Sequence, residues 1–244
     1  MIHVPTDPRF HLVFDLAGWG GGAVLGVALY RWRLKEAVTR IASATGPWYF
    51  AALGVGAVGG GWLAGSVNTL RGAHPALSHS IIGALAGAIV AVEIYKAVRG
   101  IQGSTGVIFT GSFALGTAVG RWGCLFAGLP DYTYGVPTSL SWGVDLGDGI
   151  SRHPVQIYES ATMAAFLAVY LIALSVRAEW AMKRSFYTLC ILYGFERFLV
   201  EFLKPYPKVL GPLNLFQLIC GGLIAYGAVY YARDLARERR RPGA

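Results

Sequence analysis

Arg197 and Glu201 stand four residues apart inside an apolar run, with Glu196 directly before the arginine. Ionisable side chains are costly in apolar surroundings and usually face a bundle interior or a wet cavity, so this group is a candidate for chemistry. On a helix the spacing places Arg197 and Glu201 on one face, where an ion pair lowers the cost of burial and holds the guanidinium in one orientation. Arg121 ends another apolar run. Two guanidinium forks at one boundary suit a phosphate, which they grip through paired N–H donors. His79, at the start of a third run, has the titration range to take a proton from an incoming nucleophile. The plainer alternatives are a structural ion pair for Arg197 and Glu201, snorkelling at a helix end for Arg121 and Arg152, and an ordinary interfacial role for His79.

The elements that must hold these residues follow from composition. Of 244 residues, 55% are hydrophobic and only 14% charged, and the mean hydropathy is +0.49. That excludes ordinary soluble composition and points to an integral membrane protein. The net charge of +8 does not require nucleic acid, because the basic residues cluster in short intervals between apolar runs. Residues 1–12 lack a basic n-region and a small-residue cleavage site, so the first run is expected to be a retained span.

About 20 apolar residues cross a bilayer core, and in lipid only a helix satisfies its own backbone. Seven runs fit, at approximately 12–30, 47–68, 77–97, 104–124, 154–176, 186–203 and 212–232. The expectation is an all-α integral membrane protein, a seven-helix bundle forming one polytopic domain over 1–244. Glycines four apart (Gly18/Gly22/Gly26, Gly61/Gly65, Gly83/Gly87, Gly116/Gly120) would let helices approach closely. No duplicated half is visible, against an inverted-repeat transporter.

Orientation comes from the basic intervals. One alternate set holds Arg31, Arg33, Lys35, Arg40, Lys96, Arg99, Arg177, Lys183, Arg184 and the arginines at 233, 237 and 239–241. The other holds only Arg9, Arg71, Arg121, Arg152, Lys204 and Lys208. The richer set marks the cytoplasm, which puts the N-terminus outside and the C-terminus inside. The polar interval 120–160, with its loop at about 125–153, then lies on the outer face. His79, Arg121, Tyr158, Glu159, Arg197, Glu201, Asn214 and Gln217 fall in the same leaflet.

Cys124, Cys190 and Cys220 show no metal-ligand spacing. Asp131, Asp145 and Asp148 sit among glycines and read as turn formers. No metal or organic cofactor is indicated.

Gly120-Arg121-Trp122-Gly123, Arg152-His153-Pro154-Val155-Gln156-Ile157-Tyr158-Glu159 and Tyr193-Gly194-Phe195-Glu196-Arg197-Phe198-Leu199-Val200-Glu201-Phe202 resemble blocks of the prolipoprotein diacylglyceryl transferase family. His79-Ser80-Ile81-Ile82-Gly83 is similar to its H-G-G-L-I-G motif. The resemblance implies a bacterial inner-membrane enzyme of seven helices that moves a diacylglyceryl group from phosphatidylglycerol to a lipobox cysteine of a prolipoprotein signal segment. It associates Arg121 and Arg197 with phosphate recognition and catalysis and His79 with the base, beside the orienting role that the spacing gives Glu201. Arg152, His153, Gln156, Tyr158, Glu159, Cys124 and Gly135 fall on the substrate-binding side. The partners are then the phospholipid, the prolipoprotein and the membrane, with no nucleic acid.

The sequence departs from the family in four places. Cys124 and Leu125 replace the Asn-Phe of G-R-x-G-N-F, Leu129 stands for an acidic residue, Ser80-Ile81 for Gly-Gly, and Leu16-Ala17-Gly18 where a Tyr-Gly is expected. A thiolate at Cys124 beside Arg121 admits a covalent intermediate, and a small buried residue in asparagine's place is the plainer reading. A non-enzymatic lipid- or partner-binding protein that kept the cavity is the other class.

Overall fold

In the computed structural model, which describes residues 1–71 and 75–240, helices dominate. Arg241, one of the orienting basic residues, lies outside the described residues. α1 (Arg9–Leu29) runs through a wide π turn at Tyr30–Leu34 into α2 (Lys35–Thr45), an extension the basic composition of that interval concealed. Gly46, at φ 70°, breaks it, and Pro47, whose missing N–H costs nothing in a first turn, opens α3 (Pro47–Leu70). α4 (Ile81–Arg99) starts where the Ser80 side chain accepts from Gly83 N–H and stops at left-handed Gly100. α5 (Thr110–Ala127), α6 (Val155–Ser175), α7 (Ser185–Val200) and α8 (Leu215–Arg239) follow.

Every apolar run carries a helix. Five stretches, Arg9–Thr45, Pro47–Leu70, Ile81–Arg99, Val155–Ser175 and Leu215–Arg239, are long and apolar enough to cross a membrane. α5 and α7, at 18 and 16 residues, are outside that group and carry the arginines Arg121 and Arg197. Strands are minimal: β1 (Ile2–His3) pairs in parallel with β2 (Val144–Asp145), and β3 (Lys208–Leu210) with β4 (Leu213–Asn214) as a hairpin. The first pairing joins the start of the chain to the 128–154 loop, a non-local contact that no run of apolar residues announces.

Close helix contacts are made by small residues. A Cβ on Gly87 would lie 2.2 Å from Gly56 O, and one on Gly60 2.5 Å from Gly83 O. α4 therefore uses the predicted Gly83/Gly87 pair, while α3 answers mainly with Gly56 and Gly60. α1 meets α5 through Gly18 and Gly22 against Gly116 and Ser112, whose hydroxyl donates to Gly22 O at 2.8 Å. Between these two tight pairs lies an apolar cavity of about 500 Å³, bounded by Trp19, Leu53, Ala84, Phe113 and Thr117 among others. Large side chains are fully buried elsewhere, where Met163 and Tyr170 of α6, Tyr187, Leu189 and Tyr193 of α7 and Cys220 of α8 enter the core. Large apolar side chains such as Trp19, Trp48, Val55, Leu63 and Val98 point outward, as a lipid-facing surface requires.

Candidate functional site

Arg121 is buried near the end of α5, Glu159 in the second turn of α6, and Arg197, Glu201 and Lys204 at the end of α7. Glu159 is the hub. Its two oxygens pair with Arg121 Nε and Arg197 Nη1, and Lys204 Nζ lies 2.6 Å from Oε1. Arg197 Nε is 2.8 Å from Glu201 Oε1, the contact that the four-residue spacing predicts. Glu201 Oε2 accepts from Asn214 Nδ2 at 3.0 Å, and Lys204 Nζ is 3.7 Å from Oε1. Three cations thus share two carboxylates out of contact with water, where unpaired charge is expensive.

The cluster leaves polar capacity unused. Arg121 Nη2 is buried without a hydrogen-bond partner, as are both amide atoms of Gln156, one turn from Glu159. Both carboxylate oxygens of Glu196 and the Tyr193 hydroxyl are in the same condition. Buried donors and acceptors are normally satisfied, so this concentration around one group of charges suits a polar ligand.

The other residues singled out from the sequence fall into three groups. Cys124 joins the rim of the cluster, its Sγ 3.7 Å from Arg121 Nη1. Gly135, Arg152 and His153 belong to the neighbouring loop, and Tyr158 meets it from α6. Arg152 donates to both Asp148 oxygens at 2.6 and 2.7 Å and stacks on Tyr134. Gly135 lies against His153, where a Cβ would come within 2.3 Å of His153 O, so only glycine fits. Tyr158 accepts from Trp142 Nε1 at 3.0 Å. Val136 N–H donates to Leu203 O at 2.7 Å, clamping this loop onto the end of α7. His79 is exposed just before α4, with its ring 6.0 Å from that of Trp62.

In the loop, backbone N–H groups of Gly147 and Gly149 donate to Asp145 and hold its carboxyl below the ordinary aspartate range, with His3 adding to the effect. The Arg152 guanidinium does the same for Asp148.

Lys204 is the functional candidate that sequence reasoning passed over. It was read only as a basic residue of an outer interval, although its place three residues after Glu201 was a signal that it could turn back onto that carboxylate. The hub role of Glu159 was equally hidden, since its partners are 38 and 45 residues away along the chain.

Fold and site together define a multi-pass helical membrane protein with a buried, arginine-rich ionic cluster at one end of its bundle. The profile of the prolipoprotein diacylglyceryl transferase family matches residues 20–233, and the chain belongs to that family. Proteins named phosphatidylglycerol–prolipoprotein diacylglyceryl transferase from Finegoldia magna, Clostridioides difficile and Bacillus cytotoxicus are 34%, 32% and 32% identical over 123, 155 and 174 residues. These matches take in 50%, 60% and 67% of the chain but only 47%, 59% and 62% of the relatives, so the chain spans about half to three-fifths of their length. No solved structure matches.

Proposed function

We propose that the protein transfers a diacylglyceryl group from phosphatidylglycerol to the thiol of a lipobox cysteine in a prolipoprotein signal segment. The observation that carries this reading is the Arg121–Glu159–Arg197 cluster with Arg121 Nη2 unspent, in a chain of this family. The acceptor sulfur attacks the glycerol carbon that bears the phosphate ester. The S–C bond forms as the C–O bond breaks, glycerol phosphate leaves, and the thiol proton passes to a base. Arg121 and Arg197 stabilise charge on the departing phosphate, and Glu201 and Glu159 hold the two forks in place. Gln156, Cys124, Tyr158, His153, Gly135 and Arg152 shape the rim against headgroup and acceptor.

The apolar cavity takes the acyl chains. Its lining includes Thr117, one helical turn before Arg121, so a lipid seated there carries its phosphate toward the free guanidinium donor. His79 lies two residues before Ile81 of that lining and in this reading receives the proton from the cavity side. The positive-inside pattern supports seven spans in one domain over 1–244, with the N-terminus and the 125–153 loop outside a bacterial inner membrane and the C-terminus in the cytoplasm.

The test incubates purified protein with phosphatidylglycerol and a lipobox peptide. Glycerol phosphate release that is lost in Arg121→Ala and Arg197→Ala, by about a hundredfold or more, supports transfer. Lipid binding without release would leave a non-enzymatic lipid-binding protein and end the transferase reading.

A further inference from the structure

The start of α1, the end of α5 and the turn after it converge beside the ionic cluster. His11 Nε2 lies 3.7 Å from Cys124 Sγ, and His11 Nδ1 lies 3.4 Å from Asp131 Oδ1. One ligand atom from each of the three lies within 4.8 Å of the others. Asp15 Oδ2 adds a further carboxylate, 3.8 Å from His11 Nε2. The transfer reaction as described uses neither His11 nor Asp131.

Local backbone geometry is arranged to present Asp131. The 3₁₀ turn Leu129–Asp131 is entered through Gly128, at φ 75°, and left through Tyr132, a non-glycine residue at φ 53°. Such conformations persist where their surroundings hold them, often at sites of function. Thr133 Oγ1 donates to Asp131 Oδ2 at 2.5 Å, fixing one oxygen and leaving the other toward the imidazole. A hydrogen-bonded carboxylate backing a histidine is the usual outer support of a metal-bound imidazole.

We propose that His11 Nε2 and Cys124 Sγ, with Asp131 backing the imidazole from Nδ1, form a binding site for a divalent transition metal of the zinc class. Thiolate and imidazole are donors that Zn²⁺ accepts, and Asp15 Oδ2 is the carboxylate on the Nε2 side. Zn–S at about 2.3 Å and Zn–N at about 2.0 Å in a tetrahedron separate sulfur from nitrogen by about 3.6 Å, close to the 3.7 Å between Cys124 Sγ and His11 Nε2. Cys124 is buried, whereas the His11 side chain is 30% exposed, which gives an ion its way in. A catalytic thiol–imidazole–carboxylate relay would use the same three residues; Asp15, facing the same nitrogen as Cys124, favours a cation there. The ion ties α1 to α5 next to Arg121. Because the ligands lie far apart along the chain, no sequence spacing betrays them.

The experiment uses full-length protein in detergent, stripped with a chelator and then titrated with Zn²⁺ alone or with Co²⁺ as a spectroscopic probe. The expected result is one Zn²⁺ per chain, a rise in thermal midpoint, and a thiolate-to-Co²⁺ charge-transfer band in the near ultraviolet. Cys124→Ser abolishes the band and His11→Ala the tight binding, while Asp131→Asn weakens Zn²⁺ about tenfold to a hundredfold. No retained Zn²⁺ in the wild type, or equal Zn²⁺ affinity in wild type and Cys124→Ser, overturns the proposal. So does a chelator-insensitive protein whose Cys124 is alkylated rapidly, which would establish the relay instead. None of these readouts depends on turnover, so the outcome is separable from that of the glycerol phosphate assay.

Discussion

The two ends of α7 carry similar charged residues and treat them differently. At the Ser185 end, Lys183 reaches Glu179 and Glu238 at 2.9 and 3.0 Å, and Arg184 pairs with Glu238. Lys183 and Glu179 are more than half exposed there, so water and salt compete for their contact, while Arg184 is buried against the partly exposed Glu238. At the Val200 end, Arg197, Lys204, Glu159 and Glu201 make contacts of the same kind with almost no exposure. Stability alone does not ask for that arrangement, since well-packed apolar residues often serve as well in place of a buried ion pair. The contrast is one of desolvation: at the second end charges of both signs are buried together, and the proposed function rests on that end.

Four substitutions test the contrast. Glu159→Gln leaves buried Arg121 without a carboxylate and Arg197 and Lys204 with Glu201 alone, and is expected to destabilise by about 3–5 kcal/mol, measured by thermal unfolding in detergent; a change no larger than that of Glu238→Gln would erase the distinction. Arg197→Lys keeps the charge but loses the fork that spans Glu159 and Glu201. Its expected signature is a drop in turnover of about a hundredfold with the fold retained, read as glycerol phosphate release beside a melting curve.

Asp148 belongs to an intermediate case, an exposed residue in a two-pronged pair with the buried Arg152. Its folded-state ionisation is shifted downward, so its contribution is present above the ordinary aspartate range and is lost as pH falls through the lowered value. Hydrogen exchange of the 143–152 amides, corrected for the intrinsic rate, should show protection failing on acidification. Asp148→Asn should lower protection at neutral pH and flatten that part of the acid response. Lys183→Ala is expected to change stability by no more than about 0.5 kcal/mol, and a larger loss would mean that the exposed end is also structurally committed.

The positions of the helices were legible because an apolar run is a local property. The Arg197–Glu201 contact was legible for the same reason, as both residues lie on one face of one helix. What joins distant parts of the chain was not. Glu159 acquires its partners from α5 and α7, His11 meets Cys124 across 113 positions, and β1 finds β2 in the far loop. The glycine spacing found the approach of α3 to α4 but not its register, since Gly56 and Gly60 rather than Gly61 make the close contacts with α4. His79 was marked by residue type and motif, and neither reports on distance from the arginines. The family departures at 124 and 129 acquire a spatial meaning: Cys124 faces His11, and Asp131, two residues beyond Leu129, brings a carboxylate to the same place.

Asn214 couples two things that are usually separate. Its Oδ1 accepts from Gln217 N–H and so starts α8, while its Nδ2 donates to Glu201 in the ionic cluster. Aspartate or serine would cap the helix about as well, but neither could cap the helix and also offer an amide N–H to the carboxylate. In the proposed function, occupancy of the arginine site and fraying of the first turn of α8 would be linked quantities, each biasing the other by the same free energy. The exchange rate of the Gln217 amide would then report a ligand it never touches.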